Sequence, residues 1–308
     1  MVSDVDCSSP PVHDDAVAVF TSLRKRLFGV AYRIIGSAAE AEDVVQETWL
    51  RWQSCDRTAV REPAAFLMTA ATRIAINVLQ SARVRRETYI GPWLPSPVDT
   101  TSDPTLGAER TEALHLATLL LMERLTPTER AAYVLREAFD YPYGRIAEIV
   151  DTTEAASRQL VSRARKHLMT GTAREASREH HHRFFTAFLD AARRGDATSL
   201  ETLLAADSVN YTDGGGIVAH TARREILGRD HLVRFLCGFA ERFRFWDDLE
   251  VRTIQVNGRE SALLLQEDRI QALLSVEVGE EAIEKVMWVM NPDKLAALEQ
   301  QQQHTSAG

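Results

Sequence analysis

The string Pro127–Leu168, PTERAAYVLREAFDYPYGRIAEIVDTTEAASRQLVSRARKHL, decides the architecture. It divides into a helical stretch Pro127–Phe139, a turn containing Pro142 and Gly144, a short helix Arg145–Val150, a break at Thr152-Thr153, and a longer helix Glu154–Leu168. Two helices of these lengths with so short a join have the form of a helix-turn-helix, whose second helix lies in a DNA major groove. On that second helix Ala156, Leu160, Ala164 and Leu168 recur every fourth residue and form a strip able to pack inward. The other side carries Arg158, Gln159, Ser162, Arg163, Arg165 and Lys166, with no acid after Glu154. Such side chains suit phosphates and purine edges: Arg binds guanine, and Gln binds adenine, in bidentate fashion. A solvated basic face on a bundle helix is the plainer alternative.

Upstream, the 3.6-residue period runs through Ala16–Ile35, Ala38–Gln53 and Pro63–Ala82, with Pro63 at a first-turn position. Gly91–Gly107 then breaks the pattern with Pro92, Pro95, Pro97 and Pro104 among Ser, Thr and Asp, the composition of a linker. Gly171–Glu179 is a second break. Beyond it His180–Arg194, Leu200–Ala206 and Arg229–Arg244 read as helices. Ser208–Thr212, Leu249–Val256, Ser261–Gln266, Gln271–Val278 and Ala282–Met290 read as strands, punctuated by Asn257-Gly258 and Gly279. Helices followed by antiparallel strands define an α+β domain. The expected division is 14–90, a linker at 91–107, 108–170, 180–295 and a disordered Gln-rich tail at 296–308: two all-α domains and one α+β domain.

The 308 residues carry a net charge of −8, which taken alone argues against nucleic-acid binding. The distribution reverses that reading. Residues 180–308 hold 14 Lys/Arg against 20 Asp/Glu, leaving only −2 for residues 1–179 with their local basic clusters. The polar, acidic start lacks the basic and apolar segments of a signal peptide, and no apolar run is long enough for a membrane span, so the chain is expected in the cytoplasm. Cys7, Cys55 and Cys237 are scattered and odd in number, which suits neither a disulfide framework nor a zinc site. His180-His181-His182 point in different directions on a helix, so they read as a solvated terminus and no metal is expected.

TPTER (Thr126–Arg130) together with RQLVSRAR (Arg158–Arg165) closely resembles region 4 of extracytoplasmic-function sigma factors. LFGVAYR (Leu27–Arg33) followed by AEDVVQETWLRW (Ala41–Trp52) resembles region 2 of the same family, in the family's order and spacing. The resemblance covers about residues 14–170. It implies a promoter-reading subunit of RNA polymerase that needs no cofactor and is not an enzyme. Region 4 then contacts the −35 element through Arg158, Gln159, Ser162, Arg163, Arg165 and Lys166. The helix with Val45, Trp49 and Trp52 turned inward exposes Glu42, Asp43, Gln46 and Glu47, which by resemblance dock on the β′ subunit of the polymerase core; the β subunit is the other expected partner. Leu67, Ala71, Ile74 and Val78 form the apolar side of the next helix. Arg73, Asn77, Gln80 and Ser81, with the basic exit Arg83, Arg85 and Arg86, face the −10 element, and the loop Arg57–Glu62 captures an unstacked base.

The C-terminal addition resembles the cone-shaped SnoaL-like fold, of the NTF2 type, shared with ketosteroid isomerases and polyketide cyclases. Three strings resemble one sigma-factor group with such a domain: Trp93-Leu94-Pro95-Ser96-Pro97, Asp213-Gly214-Gly215-Gly216 and Asn291-Pro292-Asp293-Lys294-Leu295. Ser96 and Ile217 replace the acidic and basic residues usual in that group. The resemblance implies regulation in cis with no separate anti-sigma factor, in a chain that is monomeric when free. Physically, three glycines permit repeated positive φ and close approach of another segment, though a plain turn after Ser208–Thr212 has the same composition. Trp93 in a polar linker calls for a docking site. Two rival functions are a stand-alone helix-turn-helix regulator with a ligand-sensing domain, and a SnoaL-like isomerase or cyclase using Asp213, His220 or His231 in an apolar pocket.

Overall fold

The computed structural model describes residues 12–101, 114–169, 176–219, 221–243 and 248–306. His220, residues 102–113 around the end of the linker, and 171–175 of the second break lie outside them.

Three helices open the chain: α1 (Val12–Ile35), α2 (Ala38–Ser54) and α3 (Pro63–Glu87). Gly36 turns α1 into α2 at φ +79, and a side chain there would meet Trp93 at 3.0 Å. Ser37 caps α2, its hydroxyl accepting the Glu40 N–H at 3.4 Å. Helix α3 runs to Glu87, past the expected end at Ala82, and so carries Arg83, Arg85 and Arg86 as helical residues. After the linker come α4 (Leu116–Leu121), α5 (Pro127–Glu137), α6 (Tyr143–Val150) and α7 (Glu154–Met169). A capping box between Thr126 and Glu129 starts α5 behind Pro127. Asp151 at φ +55 ends α6 in the left-handed region. The inward row of α7 is Ser157, Val161, Ala164 and Leu168. Ala156 and Leu160, expected in that row, are only half-buried: the helix is rotated so that its Ser157 hydroxyl donates to Tyr143 O at 2.9 Å.

The two helical segments share one hydrophobic core. Leu27, Ile35, Leu67 and Leu79 belong to the same buried cluster as Leu119, Leu125, Leu135 and Val161.

The C-terminal part is α+β. Helices α8 (Arg178–Arg194) and α9 (Ala197–Leu203) lead into β1 (Leu204–Asp213) and β2 (Ile226–Leu227), then α10 (Arg229–Phe243), β3 (Glu250–Val256), β4 (Arg259–Gln266), β5 (Arg269–Val278), β6 (Ile283–Val289) and α11 (Pro292–Ser306). Two expectations fail here. The helix expected over Leu200–Ala206 ends at Leu203, and Leu204 already begins the strand. The Gln-rich segment expected to be disordered continues α11 to Ser306. The helix starts from Asn291, whose Oδ1 accepts the Asp293 N–H at 3.0 Å, and Leu295 and Leu298 bury its first turns.

The sheet order is β2-β1-β6-β5-β4-β3, with β1 parallel to β6 and the remaining pairs antiparallel. One face, with Ala262, Leu264, Leu274 and Trp288, packs under Phe185, Phe188, Leu232 and Leu236 of α8 and α10. The other, with Leu263, Leu265, Leu273, Met287 and Val289, is covered by Leu295 and Leu298 of α11, by Leu94 of the linker and by Leu116 and Ala117 of α4. Both faces are dry, which is why the strands read as unbroken apolar runs such as Ala262–Leu265 rather than as strict alternation. The triple-histidine start of α8 is not simply solvated: His181 is buried and its Nε2 lies 3.2 Å from Val276 O. Among the described residues no helix is long and apolar enough to cross a membrane.

Candidate functional site

The linker meets the C-terminal domain around Asp213, the fully buried last residue of β1. Its Oδ2 accepts the Leu94 N–H at 2.9 Å and the Lys294 ammonium at 2.6 Å. Its Oδ1 accepts the Tyr89 hydroxyl and the Gly215 N–H. Lys294 also donates to Leu94 O, and its nitrogen stands 4.3 Å from the centre of the Trp93 ring. The Arg86 guanidinium lies 3.5 Å from the same centre, so Trp93 is held by two cations. Asn291 donates from Nδ2 to Tyr89 Oη at 2.8 Å. Burial draws the Lys294 ammonium below the usual lysine range, against the opposing pull of Asp213. Burial and the neighbouring Asp213 carboxylate both push the Tyr89 hydroxyl up, so it remains a donor.

The three glycines are there for approach. A methyl group on Gly214 would strike Thr221 at 2.8 Å, one on Gly215 would strike Asn291 at 2.8 Å, and one on Gly216 would strike Ile90 at 2.9 Å. Gly215 and Gly216 also have φ of +64 and +73. Leu94, Pro95, Ser96 and Pro97 are buried; Ser96 N donates to Gly36 O at 2.8 Å, which lays this part of the linker on the α1–α2 turn. Ile217 is 69% exposed and takes no part. Of the last string, Asn291, Lys294 and Leu295 are buried while Pro292 and Asp293 face out. The structure thus gathers Trp93, Leu94, the three glycines, Asp213, Asn291 and Lys294 at one contact. Tyr89, which bridges Asp213 and Asn291, was not among the residues singled out from sequence.

A second seam joins the helical halves. Glu123 sits between the guanidinium groups of Arg86 and Arg130. Burial works to raise its carboxyl, but the two cations outweigh it and hold the group low. Arg86 also donates to Ile35 O at 2.8 Å and Arg130 to Arg33 O at 3.0 Å, satisfying carbonyls at the end of α1. Arg83 donates to Glu123 O at 2.9 Å and to Leu125 O. Arg73 reaches across to the end of α6, donating to Ile149 O at 2.9 Å and Glu148 O at 2.8 Å, where the helix dipole is negative. Arg85 pairs with Glu40. Of the residues expected at the −10 element, Asn77, Gln80 and Ser81 face outward, whereas Arg73, Arg83 and Arg86 are engaged by the second helical half.

On α7, Arg158, Gln159, Ser162, Arg163, Arg165 and Lys166 are all exposed. Arg165 is tied to Glu137 of α5 at 2.6 Å, and Arg163 lies 3.3 Å from Glu129, so these two also brace the helix. Arg158 pairs with Glu154 one turn back. On α2, Glu42, Asp43 and Gln46 are exposed and Glu47 is half-buried; Leu50 beside them is 51% exposed, a large apolar side chain in an otherwise charged strip. Of the residues considered for an isomerase or cyclase, Asp213 has both oxygens committed to the linker contact and His231 is exposed near Leu227 O, while His220 lies outside the described residues.

An acidic α2, an arginine-bearing α3 and a helix-turn-helix in this order are those of a sigma-70 initiation factor. The family models for sigma-70 region 2 and sigma-70 region 4 match residues 19–85 and 115–168. The chain belongs to the extracytoplasmic-function sigma factors, which bind RNA polymerase core and promoter DNA to start transcription. It is 40% identical to the ECF RNA polymerase sigma factor SigJ of Mycobacterium tuberculosis over 236 residues, 74% of each chain. The probable ECF sigma factor SigI of the same organism is 32% identical over 196 residues, 62% of this chain and 67% of that one. The crystal structure of M. tuberculosis SigJ superposes with a TM-score of 0.73 at 33% identity, covering 91% of this chain and 98% of the other. That coverage takes in the C-terminal sheet as well as the helices.

Proposed function

We propose that this sigma factor carries its own regulator. The C-terminal region, read as a SnoaL-like cone of the NTF2 type, closes on the linker and the helical half and takes the place of a separate anti-sigma protein in a cytoplasmic, monomeric chain. The single observation that carries this reading is the Asp213 carboxylate, buried and shared among Tyr89, the Leu94 N–H and Lys294. A charge is retained in a dry contact only where it is paired, and removing one partner of such a pair costs about 3–5 kcal/mol. The domains proposed are 14–90 for core and −10 binding, 108–170 for −35 binding and 180–295 for regulation, joined by the linker 91–107. Glu42, Asp43, Gln46 and Glu47 dock on polymerase. Arg158, Gln159, Ser162, Arg163, Arg165 and Lys166 read the −35 duplex, and the α3 residues from Arg73 to Arg86 hold the −10 strand once the seam has opened.

Run-off transcription with purified core polymerase tests the reading on full-length chains. Lys294→Met leaves Asp213 buried without its cation, and Trp93→Ala removes the ring between Arg86 and Lys294. Both are expected to initiate at lower sigma concentration than the wild type. Equal initiation by all three across salt concentrations would sink the proposal.

A further inference from the structure

The hairpin between β3 and β4 turns at Asn257-Gly258, both at positive φ, +54 and +77. Such a turn ordinarily projects into water. Here Asn257 is 1% exposed, and both amide hydrogens and the carbonyl oxygen of its carboxamide are bonded, each to a different part of the chain. Nδ2 donates to Tyr32 Oη on α1 at 2.7 Å and to Leu114 O at the start of the second helical half, also at 2.7 Å. Oδ1 accepts the Val98 N–H of the linker at 3.0 Å. Tyr32 in turn donates to Ser96 O at 2.6 Å. Beside this joint the linker adds to the free edge of β3 as a short antiparallel strand: Asp99 bridges Val256, Asn257 N donates to Val98 O at 2.9 Å, and Thr100 N to Gln255 O at 2.9 Å. Strands β6, β5 and β4 separate this edge from β1, which ends at Asp213, so the linker is held at two places across the width of the sheet.

We infer that Asn257 is the positioning residue through which the C-terminal domain keeps regions 2 and 4 together, an inference that rests on the cis-regulatory reading. What the domain controls is then the separation of the two promoter-reading halves, not access to region 4. The closed chain leaves the outer face of α7 in solvent, while Arg73 and Arg83 of region 2 donate to region 4 carbonyls. Region 2 cannot engage DNA through those arginines until the seam parts. The seam cannot part while one carboxamide binds Tyr32 on one side and Leu114 on the other. A buried polar group stripped of its partners is disfavoured, so the three bonds break together or not at all.

Asn257→Gly isolates the side chain, because glycine adopts the left-handed turn freely and the hairpin is preserved. The test uses full-length protein with the three native cysteines replaced by serine and dyes placed at Gln53→Cys on α2 and Ala155→Cys on α7, both exposed. Energy transfer reports the separation of the halves, and hydrogen exchange reports the linker amides of Val98 and Thr100. Asn257→Gly is expected to lower the transfer and to speed linker exchange by about tenfold or more, while β4 and β5 amides stay protected. Tyr32→Phe is expected to reproduce part of the effect and to be non-additive with Asn257→Gly. Unchanged transfer and linker exchange in Asn257→Gly, beside an opened Lys294→Met, would overturn the joint and leave the cis regulator standing. Opening by Asn257→Gly without any gain in run-off initiation would instead uphold the joint and remove the regulator.

Discussion

Buried His115 and half-buried Gly215 show how single positions bear on the stability of the folded chain. His115, just before α4, lies against the C-terminal domain, where burial first, then the charge of Arg259 and the neighbouring His181, hold its imidazole down to about 3. The folded chain therefore keeps His115 neutral, while an unfolded chain takes up a proton below about pH 6.5. Stability falls as pH drops through that value, by up to about 1.4 kcal/mol between pH 7 and 5.5 from this residue. Denaturant titrations at the two pH values should show this loss in the wild type and a smaller one in His115→Gln; equal losses would remove His115 as the cause. Gly215 offers a second test. Alanine there faces φ +64 and Asn291 at 2.8 Å, whereas alanine at Gly238 meets nothing within 4 Å. Gly215→Ala is expected to weaken the latch by about 1–2 kcal/mol or more and to raise initiation, with Gly238→Ala neutral or slightly stabilising.

Among elements, α7 carries the sharpest expectation. Arg158→Ala should relax selectivity at one −35 position at a cost of about 1–3 kcal/mol, and Lys166→Ala should weaken all sequences alike and flatten the salt dependence. Filter binding of holoenzyme to −35 variants separates the two patterns; uniform weakening by Arg158→Ala would mean a phosphate contact. The helix-turn-helix was legible because Pro142, Gly144 and Thr152-Thr153 are local signals. The inward row of α7 was less so, since Ala156 and Leu160 fit the period as well as Val161 does, and the Ser157 bond to Tyr143 O that sets the rotation is a tertiary contact. The latch strings were found by resemblance, and the apolar Trp93 supported them. Tyr89 and Glu123 carried no local mark, and Arg130, though inside the TPTER string, gave no sign of the seam it serves. Asn257-Gly258 gave a correct hairpin and nothing more, because a turn sequence does not tell whether the turn will meet water or another domain.

For the molecule as a whole, the decisive feature is the sheet's second face, covered partly by Leu94, Leu116 and Ala117 of the sigma half. A C-terminal fragment of residues 176–308 is expected to bind an apolar dye strongly and to self-associate, since Leu263, Leu265 and Leu273 lose part of their cover; a monomeric fragment silent to the dye would show that α11 suffices. The contacts that close the chain are also far apart along it: Lys294 meets Leu94 across 200 residues, and Asn257 meets Val98 across 159. At about 5–20 residues per second, a ribosome that has just delivered Leu94 needs roughly 10–40 s to deliver Lys294. Regions 2 and 4 therefore emerge and begin to fold before the proposed restraint can form. Under the proposed cis regulation, each newly made molecule passes through a brief youth without a lock, and core polymerase that meets the nascent chain in that interval meets an unrestrained sigma factor.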